Sequence, residues 1–276
     1  MSIAKKRREP AWLRALGDRD LPAHLRLADG VYRHARTFKH DFFAATGLYE
    51  GRGGRVILKV GRVQPLFGLP MRWLGKLLTH RELMMFQILE GVEGIPRCLG
   101  PYDATGLVRV YVEGHPLQKN EQVEDGFFER LEALLDELHD RCVAYVDLEK
   151  RENILVGQDG RPWLIDMQIC WWWPNGQARG RIGPEHRLPD ALGRRLLKRF
   201  QFADRYHLLK HHRRHRPDEL SSEQMAASYQ RGFFVNAHRV LFRPVTLIRR
   251  GILKCLTGRS RSPKQDGAEF LDPPGG

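Results

Sequence analysis

The residues best suited to chemistry lie in one short stretch near the middle of the chain. Asp147 and Asn153 fall in a polar segment between two apolar runs, and Asp166 directly follows the next apolar run. A carboxylate can accept a proton, and an amide together with a second carboxylate supplies the hard oxygen atoms that Mg²⁺ prefers. Acid, amide and acid in this order are the groups that phosphoryl transfer from ATP requires. The stretch therefore indicates that class of reaction.

These residues must be positioned by strands and helices, which the apolar patterning predicts. Strands are predicted over 31–40, 44–49, 55–60, 97–112 (with a turn near 103–106), 154–156 and 163–165. Helices are predicted from about 73 to 89, over 125–140, and near 190–213, 221–239 and 244–256. Lys59 stands out because it lies inside a β-branched, apolar strand. A buried lysine needs a counter-charge, since an unpaired one tends to lose its proton.

The order of these features resembles the protein-kinase-like fold over about residues 31–170. A strand-rich first third, a lysine on a strand and an acid on the next helix precede the acid–amide–acid stretch. The resemblance implies that Lys59, in Val56-Ile57-Leu58-Lys59, holds the α- and β-phosphates of ATP. It also implies that Glu82 pairs with Lys59 and fixes its position, although Glu90 and Glu93 compete for that role.

The same resemblance gives roles to the later residues. Asp147 would accept or orient the proton of the acceptor hydroxyl, and Asn153 and Asp166 would ligate Mg²⁺. His139 lies eight residues before Asp147, and Asn153 lies thirteen before Asp166; both separations are those of the family. Lys150, in the same loop, either contacts the γ-phosphate or the acceptor, or is a plain surface lysine.

Departures from the family pattern are informative. The H-R-D triplet reads Tyr145-Val146-Asp147, five residues rather than four separate Asp147 from Asn153, and the D-F-G triplet reads Asp166-Met167-Gln168. No A-P-E signature follows. The glycine-rich loop is replaced by residues 38–45, whose backbone N–H groups could still cover the phosphates with Phe42 or Phe43 closing over them. The pattern is most similar to small bacterial atypical kinases, namely the lipopolysaccharide-core and Kdo kinases and their RIO-like relatives.

We therefore expect an α+β, bilobal protein-kinase-like fold. The N-lobe would be an antiparallel β-sheet with one main helix, and the C-lobe would be reduced and mainly helical. The expected boundaries are an N-terminal extension (1–30), a nucleotide-binding N-lobe (31–113), a helical C-lobe with the catalytic loop (114–257) and a disordered tail (258–276).

Charge and apolar segments bear on partners. The net charge is +13, and 18 Lys/Arg against 8 Asp/Glu fall between Asp190 and Gly276. Such a surface attracts phosphates of anionic lipid, nucleic acid or a glycan, or else it is simply a solvated face. The segments 66–78, with Arg72 and Lys76 interleaved, and 245–254 could lie on an anionic membrane surface, although each alone fits a buried helix. No apolar run approaches the about 18 residues needed to span a bilayer, and the N-terminus does not resemble a secretory signal.

The remaining distinctive residues favour structural roles. Four widely spaced cysteines predict neither disulfides nor a metal site, which suits a cytoplasmic protein, with peripheral contact to the inner membrane face left open. We interpret His207, His211, His212 and His215 as a basic helix face rather than a metal site. The run Trp171-Trp172-Trp173 fits core or interface packing better than stacking on a base or sugar.

The sequence thus favours an ATP- and Mg²⁺-dependent phosphotransferase that acts on a hydroxyl group. A lipopolysaccharide-core-type glycolipid sugar is the favoured acceptor. A serine/threonine protein kinase and a non-catalytic pseudokinase scaffold remain alternatives. A nucleic-acid-binding module is disfavoured, because no recognised binding motif accompanies the basic residues and the ordered acidic cluster would go unexplained.

Overall fold

The computed structural model describes residues 10–174 and 188–229. The described chain forms two compact units. Unit 1 contains residues up to Gly91, Ile95–Glu113 and Asp166–Gln168, and unit 2 contains Val92–Gly94, Gly114–Ile165 and the described residues from Ile169 onward. The predicted helix over 244–256, residues 230–239 of the helix predicted over 221–239 and the predicted tail over 258–276 lie outside the described residues. Within the described residues, the helix predicted from 221 spans only Ser222–Ala227, so it is shorter than predicted.

Unit 1 is an antiparallel sheet with one long helix. Its elements are β1 (His24–Leu27), β2 (Gly30–His40), β3 (Ala44–Gly51), β4 (Gly54–Gly61), α1 (Arg72–Ile88), β5 (Cys98–Asp103) and β6 (Gly106–Val110). The six strands lie in the order β1-β2-β3-β4-β6-β5. β1 lies within the predicted N-terminal extension and pairs with β2, so that segment contributes to the sheet.

The central strand β4 explains how the sheet presents Lys59. Val56, Leu58 and Val60 belong to the apolar core on one face of the sheet. Because successive side chains of a strand point to opposite faces, Lys59 faces the other way. α1 packs closely against β4 and the segment after it: a Cβ at Gly75 would lie 2.3 Å from the carbonyl oxygen of Arg62. Glycine therefore lets the helix approach the sheet.

Unit 2 is mainly helical and has two small sheets. Its elements are β7 (Gly114–Pro116), α2 (Phe127–Asp140), β8 (Val143–Ala144), β9 (Ile154–Gly157), β10 (Pro162–Leu164), β11 (Trp171–Trp172), α3 (Asp190–His215) and α4 (Ser222–Ala227). β7, β9 and β10 form one antiparallel sheet, and β8 pairs with β11. α2 buries Phe127, Leu131, Leu135 and Leu138 completely, a stripe that recurs at helical spacing.

The predicted fold class is confirmed. The structure is α+β, with an antiparallel sheet and one main helix in unit 1 and mainly helical structure in unit 2. Among the described residues, no helix is both long and apolar enough to cross a bilayer.

Candidate active site

Lys59 holds two carboxylates together in unit 1. Its Nζ donates to Glu82 Oε1 at 2.9 Å and to Asp166 Oδ1 at 2.9 Å, and Glu82 Oε2 lies 2.8 Å away. Only 2% of the Glu82 side chain is exposed, against 30% for Asp166. Of the competing glutamates named from the sequence, it is Glu82 that meets Lys59. The buried partner fixes the ammonium group, and the other partner is itself partly exposed.

The electrostatics keep Lys59 charged. Burial alone would lower the pKa of Lys59, but the charges of Asp166 and Glu82 outweigh it and raise that pKa above its ordinary value. Burial also raises the pKa of Glu82, and Asp166 adds to this, against the opposing charges of Lys59 and Arg109. Arg109, on β6, is 9% exposed. It is a second buried cation near the Glu82 carboxylate, and no pattern in the sequence singles it out.

Asp166 adopts an uncommon backbone conformation. Its φ is +65°, in the left-handed region that aspartate tolerates better than most residues with a side chain. The preceding residue, Ile165, donates its N–H to the carbonyl oxygen of Asn153 at 3.1 Å. The residue just before Asp166 is therefore tied to the loop that carries the other predicted Mg²⁺ ligand.

The Asp147 carboxylate lies within a small network of unit 2. Lys150 Nζ donates to Asp147 Oδ2 at 2.6 Å, and the Asn153 side-chain amide donates to the same oxygen at 2.9 Å. With its NH₂ group on Asp147, Asn153 keeps its amide oxygen as the atom suited to a cation. A 3₁₀ turn over Arg151–Asn153 accommodates the extra loop residue. The sequence left the role of Lys150 open. Its side chain is 59% exposed, but it contacts Asp147, the predicted catalytic acid.

The sequence analysis missed Asp204, which holds this loop in place. Asp204 lies on α3 with no exposed surface. Its Oδ2 accepts the N–H of Tyr145 at 2.7 Å, and its Oδ1 accepts the N–H of Val146 at 2.8 Å. Val146 has φ +71°, which is unfavourable for a β-branched residue. Two charge-assisted hydrogen bonds therefore stabilise a strained turn just before Asp147.

The histidines of α3 face inward, so their interpretation as a basic helix face is wrong. His207, His211, His212 and His215 are all buried. His211 Nε2 lies 2.8 Å from the carbonyl oxygen of Leu148, next to Asp147. Burial lowers the pKa of His211 to about 4 and also lowers the pKa of His207 and of His215. The rings of His207, His211 and His215 therefore favour the neutral form and act as packing and hydrogen-bonding groups, because a buried charge would be costly.

The sequence has no glycine-rich loop, and residues 38–45 were expected to cover the phosphates in its place. The turn between β2 and β3 lies within this range. Asp41 Oδ1 accepts the N–H groups of Phe43 at 2.9 Å and Ala44 at 3.0 Å. The guanidinium carbon of Arg62 lies 4.0 Å from the centre of the Phe42 ring. Two amides proposed to cover phosphates are thus bonded within the turn, and Phe42 packs on an arginine. Phe43, 43% exposed, is the aromatic residue of the pair that is more available to a ligand.

The tryptophan run packs mainly as expected. Trp173 is 2% exposed and belongs to a core cluster with Ala144 and Leu197. Its indole N–H donates to Asp190 Oδ1 at 2.9 Å. A Cβ at Gly193 would lie 2.1 Å from the indole, so a glycine on α3 makes room for the ring. Core packing is therefore confirmed for Trp173.

The predicted site residues fall into two groups. Lys59, Glu82 and Asp166 meet in unit 1, and Asp147 and Asn153 meet in unit 2. Within the described part of the chain, no group of three or more His, Cys, Asp or Glu residues could hold a metal ion. This is compatible with Mg²⁺, which is usually bound by one or two carboxylates together with substrate phosphates rather than by a protein cage.

Comparison with known proteins does not assign the chain to a family. No family model matches the sequence, and no curated protein matches it significantly. Among solved structures, the chain is similar to the Rio2 kinase–ADP/Mg²⁺–phosphoaspartate complex from Chaetomium thermophilum, with 16% sequence identity and a TM-score of 0.49. The match covers 70% of this chain and 60% of that one, so it spans less than two thirds of that protein's length. A likeness at this level does not assign an activity.

Proposed function

We propose that the chain is an ATP- and Mg²⁺-dependent phosphotransferase. The observation that carries the proposal is the Lys59 ammonium held at 2.9 Å from both Glu82 and Asp166. A buried, charged lysine beside a partly exposed carboxylate is suited to binding phosphate oxygens. Its position is fixed in advance, so little reorganisation is needed when negative charge develops.

Both groups of residues would serve one reaction. Lys59 would bind the α- and β-phosphates, and Glu82 would hold Lys59 in place. Asp147 would orient the acceptor hydroxyl and take its proton as the new bond to phosphorus forms. Asn153 and Asp166 would hold Mg²⁺, which when bound neutralises charge on the phosphates.

We infer that the acceptor is a hydroxyl group, and we favour a lipopolysaccharide-core-type glycolipid sugar over a protein serine or threonine. The net charge of +13 supports an acidic, phosphate-bearing acceptor. One observation favours the non-catalytic alternative: the Asp147 oxygen that would receive the proton already accepts from Lys150 and Asn153. These bonds compete with an acceptor hydroxyl for that oxygen.

The test is phosphate transfer from Mg·ATP by the full chain, measured on a core-glycolipid fraction, on a panel of serine- and threonine-containing peptides and in buffer alone. Asp147→Asn and Asp166→Asn should each lower transfer by at least about 100-fold, the range expected for loss of acid–base and charge stabilisation. The matched control is Asp159→Asn, an exposed carboxylate in the β9–β10 turn, which should leave transfer unchanged.

A nucleotide-binding assay separates the alternatives. ATP binding that Lys59→Met abolishes, without transfer to any acceptor, would replace the enzyme with a nucleotide-binding scaffold. Absence of ATP binding in the unmodified chain would overturn both. Transfer confined to the peptides would keep the enzyme but reject the glycolipid.

A further inference from the structure

A tight hairpin projects from unit 1 between β4 and α1. Leu66 and Leu69 exchange two backbone hydrogen bonds, of 3.0 and 2.9 Å. Phe67 and Gly68, between them, have φ values of +49° and +81°. Positive φ at both central residues is the conformation of a two-residue type I′ turn. The tip is therefore a defined turn, and it places a phenylalanine where glycine or asparagine is usual.

This hairpin exposes large apolar side chains that folding would normally bury. Phe67 is 73% exposed, Leu69 is 66% exposed, and Trp73, in the first turn of α1, is 60% exposed. Trp12 extends the cluster, since its ring centroid lies 5.4 Å from that of Phe67. Single exposed apolar residues are ordinary, but three large ones within seven residues of the chain are unusual and indicate an interaction site. We call Phe67, Leu69 and Trp73 the apolar tip.

Cations surround the apolar tip. Arg72 and Lys76 are exposed on the first turns of α1, and the first turn of that helix has no acidic residue. Two carboxylates, Asp20 and Asp103, share a cavity of about 210 Å³ with Arg72 and offset part of this charge. Long cationic side chains beside aromatic residues are typical of protein surfaces that enter a membrane interface.

The size of the tip favours a lipid surface over a protein partner. Three side chains of this type, exposed to this degree, present roughly 400 Å² of apolar surface. A stable protein–protein interface needs about 800 Å² from each partner, which a protruding turn does not provide by itself. A bilayer requires no matching concave surface, and it accepts a narrow apolar projection between its headgroups.

We propose that the apolar tip inserts into the interface of an anionic phospholipid bilayer, with Arg72 and Lys76 at the level of the headgroups. The tip supplies binding that resists salt, and the cations supply attraction that salt weakens. This inference does not depend on the phosphotransferase activity, so the two can fail separately.

The test is sedimentation of the full chain with vesicles of phosphatidylcholine alone and of phosphatidylcholine mixed equally with phosphatidylglycerol, at low and high salt. The unmodified chain should pellet with the anionic vesicles and retain part of that binding at high salt. The triple variant Phe67→Ser/Leu69→Ser/Trp73→Ser should bind at least tenfold more weakly at both salt concentrations. The variant Arg72→Gln/Lys76→Gln should bind more weakly than the unmodified chain at low salt. At high salt the two should bind equally.

A matched control and a second readout guard against misfolding. Phe202→Ser changes an aromatic residue of α3 that is 62% exposed and should bind as the unmodified chain does. Lipids brominated near the headgroup should quench tryptophan fluorescence less in Trp73→Phe than in the unmodified chain. The proposal is overturned if the triple variant pellets like the unmodified chain, if the unmodified chain ignores anionic vesicles, or if the quenching does not depend on Trp73.

Discussion

Lys59 has two carboxylate partners of unequal burial, and this inequality divides their roles. Glu82 is enclosed, so its charge is tolerable only while Lys59 is beside it. Asp166 is partly exposed and can exchange its contact with Lys59 for a solvent ion or a ligand at lower cost. Removing one member of a buried ion pair leaves the other unpaired, which typically costs about 3–5 kcal/mol. Glu82 is thus a fixed anchor, whereas Asp166 is available for other contacts.

The first prediction is a double-mutant cycle on this pair. Lys59→Met should lower the free energy of unfolding by about 3 kcal/mol, because it strands a buried carboxylate. Adding Glu82→Gln to Lys59→Met should recover part of that loss, since the stranded charge is then removed. Urea denaturation of the unmodified chain, both single variants and the double variant measures the coupling. Strictly additive effects would show that the two side chains do not depend on each other.

At this scale the sequence predicts some residues and misses others for a physical reason. Lys59 can be identified because a lysine inside a β-branched run needs a counter-charge. Asp204 cannot, because a lone acid in a basic segment looks like a surface residue. Its partners are the backbone N–H groups of Tyr145 and Val146, about sixty positions earlier, and backbone groups leave no trace in the sequence. The histidines of α3 were misinterpreted for a related reason. Their burial, which local sequence does not reveal, decides their charge more than their residue type does.

Among the elements, α3 does most to hold the loop that contains Asp147. Asp204 and His211 are seven residues apart, two helical turns, and so lie on the same face of α3. Asp204 accepts the N–H groups at the start of the loop, and His211 contacts the carbonyl of Leu148, just past Asp147. The predicted catalytic acid is therefore held between contacts on both sides of it.

The second prediction concerns Asp204→Asn. The substitution keeps the size of the side chain but replaces one acceptor oxygen with a donor, so Tyr145 or Val146 loses its hydrogen bond. We expect unfolding to become easier by about 2 kcal/mol, the usual value for a hydrogen bond to a charged group. The rate of phosphate transfer should fall at least tenfold while affinity for ATP stays unchanged, as measured by kcat and by equilibrium nucleotide binding.

The control for Asp204→Asn is Asp136→Asn, which removes a half-exposed carboxylate on α2 paired with Arg205. Exposed ion pairs contribute about 1 kcal/mol or less, so both stability and transfer should change little. Equal losses of ATP affinity and of turnover in Asp204→Asn would mean that Asp204 supports the fold in general rather than the loop.

The bounds of the longer elements followed closely from the sequence, but α4 is shorter than predicted, the short strands β7, β8 and β11 were missed, and the arrangement of the elements was not predicted. The periodicity around Leu131 and Leu135 predicts the helix observed as α2, and the apolar run at Val56 predicts β4. The sheet order β4-β6-β5 has no counterpart in local patterning, because an apolar strand fits equally well beside several neighbours. β1 was missed because His24–Leu27 is only four residues long, too short to show a period.

Considered as a whole, the molecule is strongly basic yet keeps some of its titratable groups neutral. Each unit has a histidine whose pKa is lowered to about 4: His40 in unit 1, through burial and the charge of Arg14, and His211 in unit 2, chiefly through burial. An unfolded histidine titrates near pH 6.5. Between pH 6.5 and 4 each of these two histidines therefore binds more protons in the unfolded chain than in the folded one, so its contribution to stability falls as the pH falls.

The third prediction is acid sensitivity that depends on His211. The contribution of neutral His211 to the free energy of unfolding is fully present above about pH 6.5. About 2 kcal/mol of that free energy should be lost between pH 7 and pH 5. His211→Gln cannot take up a proton, so its free energy of unfolding should vary less over this range. Urea midpoints at both pH values, with His24→Gln as an exposed control, provide the measurement. An unchanged pH dependence in His211→Gln would refute the assignment.

The two carboxylates that contact Lys59 lie at very different separations from it in the sequence. Glu82 follows it by 23 residues and Asp166 by 107. On the ribosome, the lysine and its first partner are therefore made long before the second. A nascent chain that ends after β6 would contain Lys59 and Glu82 but not Asp166. Unit 1 thus cannot be obtained complete as an N-terminal fragment, because its last residues are synthesised only after the loop that contains Asp147.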